Sequence, residues 1–349
     1  MNLNDYINSK NIALYIKELP VESTVDKTLF PDKHISGTKL EKAKGAKKKS
    51  VALRMSTFDA AAKKRALSAE ITVSSTEIPF FKESMGMDES SRREIQNALA
   101  SNNENLVQSL LGEVFDNYTD LVNGAEIVAK KMRATVIQNG VLNFVSDDGD
   151  IIVDYGVPAN HKVILTSGDK WNDPNADIVG DVKSFQKVMT DENYAKPTIL
   201  LLTETTFDNT FVINAAITAA IRNSNLNTAV ILSQANYVQF AKEVLGLTVV
   251  FLENATYIPN DGADPIPYYE DGKITLMSGS TLGETVYGTT PEEFDLTSGT
   301  SKIDTTMVNT ATAITTMVKE DPVTVDTKVS AMPIVSFDRA DEVFFATVY

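Results

Sequence analysis

From Arg92 to Arg133 the chain contains no proline, and Val107, Leu111, Val114, Tyr118, Leu121, Ala125, Val128 and Met132 recur there at alternating spacings of four and three. Only an α-helix brings such a series onto one face. Asp88-Glu89-Ser90-Ser91 supplies a cap and an acidic first turn, while Lys130, Lys131 and Arg133 place cations where the dipole favours them at the far end. The pattern predicts one helix of about 45 residues, roughly 65–70 Å long. Ordinary globular helices run to about a dozen residues, so this one is a spine on which the rest must be arranged. The Asn and Ser residues near 101–109 and Gly112 argue against a freestanding coiled coil.

The preceding segment has the opposite character. Residues 1–30 form a short arm in which Asn4 or Asp5 caps a helical turn, and Pro20 and Pro31 break the chain beyond that turn. Residues 36–85 show no helix-period core. Lys44-Gly45-Ala46-Lys47 makes a turn between strand-prone stretches at Ser50–Phe58 and Ala69–Val73. A hairpin of alanine, serine and lysine cannot bury much surface by itself, so it must lie on its own body or on a neighbour.

Charge is divided unevenly along the chain. Residues 1–65 hold fourteen Lys/Arg against seven Asp/Glu, a net of +7, so with −15 overall the remaining 284 residues carry −22. The cations concentrate in Lys39, Lys42, Lys44, Lys47, Lys48, Lys49 and Arg54, then Lys63, Lys64 and Arg65. No aromatic side chains interleave those lysines for base stacking, and so acidic a chain repels phosphates at long range. Two readings stay open: a solvated loop, or a loop that meets the acidic body of another copy of the same chain.

After Ala134 the period changes. Thr135-Val136-Ile137 and Leu142-Asn143-Phe144-Val145 read as strands joined at Asn139-Gly140, with Ile151-Ile152-Val153 after the turn Asp148-Gly149-Asp150. Residues 170–252 have an α/β pattern: helices over Asp177–Met189, Asn209–Arg222 and Gln234–Leu245, the last ended by Gly246. Strands are expected at Thr198–Leu202, Ala229–Leu232 and Leu247–Leu252. Residues 255–300 read as loops with hairpins, and Thr305–Val318, Val323–Val329 and Val343–Val348 as closing strands. The N-terminus lacks a basic-then-apolar run and no apolar stretch approaches the ~18 residues of a membrane span. A soluble protein made in the cytoplasm is expected, with no membrane partner.

Chemistry is sparse. There is no cysteine, which excludes disulfides, thiolate zinc sites, iron–sulfur clusters and cysteine nucleophiles. His34 and His161 are the only histidines. Neither common phosphate-cradling glycine motif occurs. Gly279-Ser280-Thr281-Leu282-Gly283 has Thr where a nucleophile elbow needs Ser. Asp173-Pro174-Asn175-Ala176-Asp177 opens like a calcium loop, but Ile178 and Ser184 stand where the turn glycine and last acid belong, so helix capping is the better account. Thr203, Thr205 and Thr206 come after a strand, where α/β enzymes place ligands, but without glycines. No catalytic, metal or cofactor site is expected.

Several ordered stretches resemble one known family, the major capsid proteins of lambda-type tailed phages, or protein E family. They are Leu29-Phe30-Pro31 before Gly37; Phe58-Asp59 with Arg65; Glu77-Ile78-Pro79-Phe80-Phe81-Lys82-Glu83; and Met87-Asp88-Glu89. Further on come Asp154-Tyr155-Gly156-Val157-Pro158, Lys170-Trp171-Asn172-Asp173-Pro174-Asn175-Ala176-Asp177-Ile178, Gly272-Lys273-Ile274-Thr275-Leu276, Tyr287-Gly288-Thr289-Thr290-Pro291-Glu292-Glu293 and Pro333. The resemblance implies an α+β chain with the capsid fold of the Hong Kong phage, shared by tailed phages and herpesviruses. Its parts would be an N-terminal arm (1–35), an extended β-hairpin loop (36–85), a peripheral domain with spine helix and sheet (86–160 and 301–349) and an α/β axial domain (161–300). It implies hexamers and pentamers of this subunit closing an icosahedral shell around double-stranded DNA, bound without sequence specificity. A separate scaffolding protein, a portal and a decoration protein are the further partners. The expected location is the virion, with assembly in the host cytoplasm. Lys42, Lys44, Lys47, Lys48, Lys49 and Arg54 of the loop are then the expected inter-subunit contacts. The alternatives are an α/β small-molecule enzyme and the shell protein of a host-encoded compartment.

Overall fold

The computed structural model describes residues 7–19, 23–43, 73–100, 104–144, 151–166, 168–224, 232–260, 262–300, 303–319, 321 and 323–349. Helix α1 (Ser9–Glu18) starts at Asn8, whose side chain accepts the Asn11 amide at 2.9 Å; the expected caps Asn4 and Asp5 lie outside the described residues. Helix α2 (Val25–Leu29) and strand β1 (Asp32–His34) sit on either side of Pro31. Strands β2 (Lys39–Ala43) and β3 (Val73–Glu77) pair with each other at the two ends of segment 44–72. Strand β4 (Phe81–Met87) leads into α3 (Glu89–Ala100), where Asp88 Oδ1 accepts the Ser91 amide at 2.8 Å; that bond holds the Asp88 carboxyl below its usual range.

Helix α4 (Glu104–Asn139) has 36 residues, about 54 Å at 1.5 Å per residue. The expected single helix is therefore two described helices on either side of 101–103, and the second runs beyond Arg133. Val136 and Ile137 have no exposure, and this burial outweighs the strand preference of Thr135-Val136-Ile137. Asn139-Gly140 is consequently a helix stop and not a hairpin turn: Gly140 takes φ 64° and donates to Val136 O at 2.9 Å. The hairpin lies one step later, between β5 (Val141–Phe144) and β6 (Ile151–Asp154).

The remaining elements are β7 (Lys162–Ile164), α5 (Ile178–Asp191), β8 (Ile199–Thr203), α6 (Glu204–Phe207), α7 (Ala215–Ser224), α8 (Gln234–Phe240) and β9 (Thr248–Leu252). Then come β10 (Thr256–Tyr257), β11 (Ile266–Pro267), β12 (Lys273–Met277), β13 (Glu284–Tyr287), α9 (Pro291–Ser298), β14 (Asp304–Val308), β15 (Thr312–Val318), β16 (Val325–Ala331), β17 (Pro333–Ser336) and β18 (Val343–Thr347). The helix expected over 209–222 is divided. Thr210 Oγ1 donates back to Thr206 O at 2.6 Å inside a widened π turn, and Asn214 restarts the helix by accepting the Ile217 amide at 3.0 Å. Of the strand expected at 229–232, only Leu232 is described, and it lies in no strand. Residues 255–300 hold more than loops, because β12 is the middle strand of a sheet and α9 a capped helix.

The chain forms two units. Unit 1 comprises Met1–Glu41, Ser75–Arg133 and Glu284–Ser336. It holds an antiparallel sheet of order β14-β15-β16-β4, in register from Val325 opposite Met87 to Ala331 opposite Phe81, and a sheet of order β1-β13-β17. Its core joins Ile12, Ile95, Leu111, Tyr118, Val122, Ile314 and Val325. Of the expected helix stripe, Val107, Leu111, Tyr118, Leu121 and Met132 are buried.

Unit 2 comprises Lys42–Ser74, Ala134–Gly283 and Phe337–Tyr349. Its five-stranded sheet has the order β7-β18-β12-β8-β9. Strands β8 and β9 are parallel, as are β7 and β18, while β12 runs antiparallel to both β8 and β18. Trp171, Phe185, Leu200, Leu202, Phe207, Phe211 and Phe344 pack the core.

Candidate functional site

The expected site is a row of cations, and only its first member falls in a described element. Lys42 lies in β2, whereas Lys44, Lys47, Lys48, Lys49 and Arg54 lie outside the described residues. The stems of that segment are held in unit 1 by backbone bonds. Thr289 N donates to Gly37 O at 3.0 Å, Ile78 N to Thr38 O at 2.9 Å, and Gly288 N to Met332 O at 2.9 Å. The approach is close: a Cβ on Gly288 would stand 2.9 Å from Gly37 O and 3.0 Å from Ile78 Cδ1. Any larger residue at 288 would push the two stems apart.

The arm is fixed by buried charge. Arg133, fully buried, donates from Nε to Asp26 Oδ2 at 2.5 Å and from Nη2 to Glu126. Its Nη1 reaches Thr285 Oγ1 at 3.4 Å and lies 3.8 Å from Asp32 Oδ1, while Lys27 meets Glu126 at 3.2 Å. Burial works against the guanidinium charge, but Glu126 and Asp26 outweigh it and hold Arg133 above its ordinary range. Burial, reinforced by Glu126, raises the Asp32 carboxyl, and burial with the same carboxylates raises the Tyr287 hydroxyl. A guanidinium in this setting has one low-energy arrangement of partners, so α2 and β1 have one seat against α4.

The sequence pattern places Arg133 among the cations that the dipole favours at the far end of the helix. The signal this reading overlooks is a second row beside the apolar stripe, Val122, Glu126, Ala129, Arg133 and Val136, spaced by four and three. Val122, Ala129, Arg133 and Val136 are all buried. Charged residues placed in such a row must find partners.

The groups considered for chemistry are occupied with one another. Thr203 Oγ1 donates to Asp271 Oδ1 at 2.5 Å and accepts the Thr206 amide at 3.1 Å, while Thr206 Oγ1 accepts the Gly272 amide at 2.9 Å. These bonds close the end of β8, and Thr205 is exposed outside them. His161 is buried, with Nε2 3.2 Å from Glu192 Oε2 and its ring edge-on to Tyr194. His34 Nε2 lies 3.2 Å from Glu293. In the 279–283 loop, Arg339 Nη1 donates to Thr281 O at 3.1 Å, and a Cβ on Gly279 would come within 2.6 Å of that guanidinium. Asp177 caps α5 through the Gly180 amide at 2.9 Å and Asp173 accepts the Asn175 amide at 2.8 Å, both turn duties. Asp181, raised chiefly by burial, accepts the Trp171 indole at 2.9 Å. Among the described residues no three His, Asp or Glu side chains converge as a metal site.

With this geometry in view, comparison with known proteins gives a consistent picture. The model of a family described as phage major capsid protein E matches residues 8–348. A putative capsid protein of an Escherichia coli prophage is similar in structure, with 10% identity, a TM-score of 0.59, and coverage of 98% of this chain and 99% of that one. A phage-related protein of Bordetella bronchiseptica has 10% identity, a TM-score of 0.54 and 97% coverage of both chains. The capsid of cyanophage A-1(L) has 12% identity, a TM-score of 0.50 and 95% coverage of both. No curated protein sequence matches significantly.

Proposed function

The chain belongs to the phage major capsid protein E family, and from that membership we propose how its parts divide the work of building a shell. The protein is a structural capsid subunit of the virion, it associates with copies of itself, and it is not an enzyme. The observation that carries this is the family match over residues 8–348, which spans every element of the fold. Hexamers and pentamers close an icosahedral shell around double-stranded DNA. Residues 1–35 act as the arm, 36–85 as the extended loop, 86–160 and 301–349 as the peripheral domain, and 161–300 as the axial domain. A separate scaffolding protein and a portal take part in the host cytoplasm, and a decoration protein binds the finished shell.

Within that scheme Lys42, Lys44, Lys47, Lys48, Lys49 and Arg54 face a neighbouring subunit. Support comes from the stems: β2 and β3 pair where the segment leaves and returns, and the backbone beside them is anchored at Gly37 and Ile78. Complementary charge between copies sets register and discourages wrong docking more than it adds affinity. An acidic body also suits a container that must release its DNA. The enzyme alternative loses its ground at Thr203 and Thr206, whose hydroxyls are bound to Asp271 and Gly272.

The test is to express the full chain, pass it through gel filtration with light scattering and image any heavy peak in negative stain. Shells, rings or tubes are expected. A chain that stays monomeric with every candidate scaffolding protein, yet binds a small molecule, would restore the enzyme.

A further inference from the structure

Five Asp-Gly or Asn-Gly dipeptides occur in the chain, and three lie wholly among the described residues: Asn123-Gly124, Asn139-Gly140 and Asp271-Gly272. Such a dipeptide is a chemical liability, because a glycine without Cβ lets its amide nitrogen swing onto the preceding side-chain carbonyl. At Asp-Gly the amide loses its proton, nitrogen bonds to Cγ, the carboxyl C–O bond breaks and water leaves, closing a succinimide ring. Water reopens the ring at either carbonyl. One product is the original aspartate, and the other is isoaspartate, whose main chain runs through Cγ and is longer by a methylene.

At 272 the liability cannot be removed by changing the glycine. Gly272 takes φ 79°, and a Cβ there would stand 2.9 Å from Tyr349 O. Its carbonyl also accepts the Val348 amide at 2.7 Å. Asp271 is exposed, so burial does not keep water from it. What separates the two reacting groups is a ring of hydrogen bonds. The Gly272 amide donates to Thr206 Oγ1 at 2.9 Å, the Thr206 and Thr203 hydroxyls lie 2.7 Å apart, and Thr203 Oγ1 donates to Asp271 Oδ1 at 2.5 Å. Since Thr203 spends its one proton on the carboxylate, Thr206 donates to Thr203, and the bonds run one way round from amide to carboxylate. Both threonines are buried.

We propose that Asp271-Gly272 is a latent isomerisation site, and that Thr203 and Thr206 are positioning residues that keep it unreacted by holding the amide proton on one hydroxyl and the carboxylate on the other. The place makes the reaction consequential. Lys273 is the next residue and begins β12, opposite Thr347 of β18 in the five-stranded sheet. An added methylene at 271 would displace the Gly272 carbonyl from Val348 and the head of β12 from its partner. A capsid subunit is not resynthesised inside the virion, so slow chemistry of this kind accumulates there.

The test is to age the full chain in warm neutral buffer and to count isoaspartate at 271 by an isoaspartate-specific methyltransferase and by peptide mapping. Native wild type should react far more slowly than the same chain in urea. Thr206→Val should quicken the native reaction roughly five- to tenfold, the worth of about one hydrogen bond. Thr206→Ser restores the hydroxyl and should keep the wild-type rate. Asn139-Gly140 distinguishes loss of the clamp from general loosening of unit 2. There the amide donates to Val136 O at 2.9 Å and Asn139 Oδ1 accepts Lys273 Nζ at 2.7 Å, with no part for Thr206. Deamidation at Asn139 should therefore be unchanged in Thr206→Val. Should that variant misfold, Thr203→Val provides the same reading. A native rate equal to the rate in urea, hydroxyl variants no faster than wild type, a serine variant as fast as the valine one, or an equal rise at Asn139 overturns the proposal. Whether the chain forms shells does not enter the measurement, so the capsid reading stands or falls separately.

Discussion

Unit 2 has a core of stacked aromatic groups, whereas unit 1 adds directional polar contacts to an aliphatic core. In unit 2, Phe185 stacks on Phe344 at 4.6 Å, Phe207 on Phe211 at 4.9 Å, and Trp171 meets Phe211 edge-on at 5.9 Å. Unit 1 gathers three separated stretches of chain. At their junctions stand Arg133 with Asp26 and Glu126, Ser9 with Asp304, and Lys33 with Glu284. Apolar burial rewards any arrangement that hides area, whereas a buried guanidinium tolerates very few. Both units are made of three distant stretches, and in unit 1 bonds of the second kind stand where its stretches meet.

The strongest way to break this contrast is Arg133→Met. Removing one partner of a buried ion group leaves the buried Asp26 uncompensated and Glu126 with Lys27 alone, at a cost of about 3–5 kcal/mol. Trp171, the only tryptophan, lies in the unit 2 core, so its fluorescence tracks that unit while far-UV circular dichroism tracks both. In urea the dichroism midpoint should fall and the fluorescence midpoint should hold. Equal shifts in both would show that the two units unfold as one cooperative body. Phe185→Leu is the converse and smaller change, about 1–2 kcal/mol for a buried aromatic replaced by a smaller apolar residue. There the fluorescence midpoint should move first.

The same contrast explains which elements could be read from the sequence. The unit 2 helices at 178–191 and 234–245 and its strands at 199–203 and 248–252 obey local periodicity, because each buries an apolar face. Asp177 and Gly246 mark their boundaries by capping chemistry. In unit 1 the stripe from Val107 to Met132 was equally legible. The Arg133 cluster was not, since Asp26 is 107 residues away and contributes no local pattern. The end of α4 was misplaced for a related reason: Val136 and Ile137 are helical because of the groups that cover them, which their own preferences do not record. Of the loop cations, the sequence identifies the charge, and only Lys42 lies in a described strand.

Weaker polar pins sharpen the comparison further. Ser9 donates from its amide to Asp304 Oδ2 at 2.7 Å and from Oγ to Asp304 Oδ1 at 2.8 Å. Ser9→Ala keeps the amide bond and loses the hydroxyl's bonds to Asp304 and Thr306, which should cost about 1–2 kcal/mol. Protease cleavage between α1 and α2 should quicken, with the Trp171 signal unchanged.

The smallest effect is a pH dependence whose sign separates two carboxylates of unit 1. Burial alone would raise Glu292, but hydrogen bonds from Lys328 and Ser330 outweigh it and bring the carboxyl below its ordinary range. Glu292 therefore stabilises the fold above the ordinary glutamate pKa and loses that contribution as pH falls through its own lower value. Asp32, raised by burial and by Glu126, has the opposite sign: the folded state holds its proton longer, so stability declines as pH climbs from the ordinary aspartate value to the raised one. Glu292→Gln should flatten the acid side of the stability curve and cost less than about 1 kcal/mol at neutral pH. Asp32→Asn should instead remove the decline above about pH 4 and leave the acid side unchanged. Both changes belong in the dichroism transition and not in Trp171 fluorescence, because both carboxylates are in unit 1; a matching pH shift in the fluorescence would mean that the aromatic core depends on them.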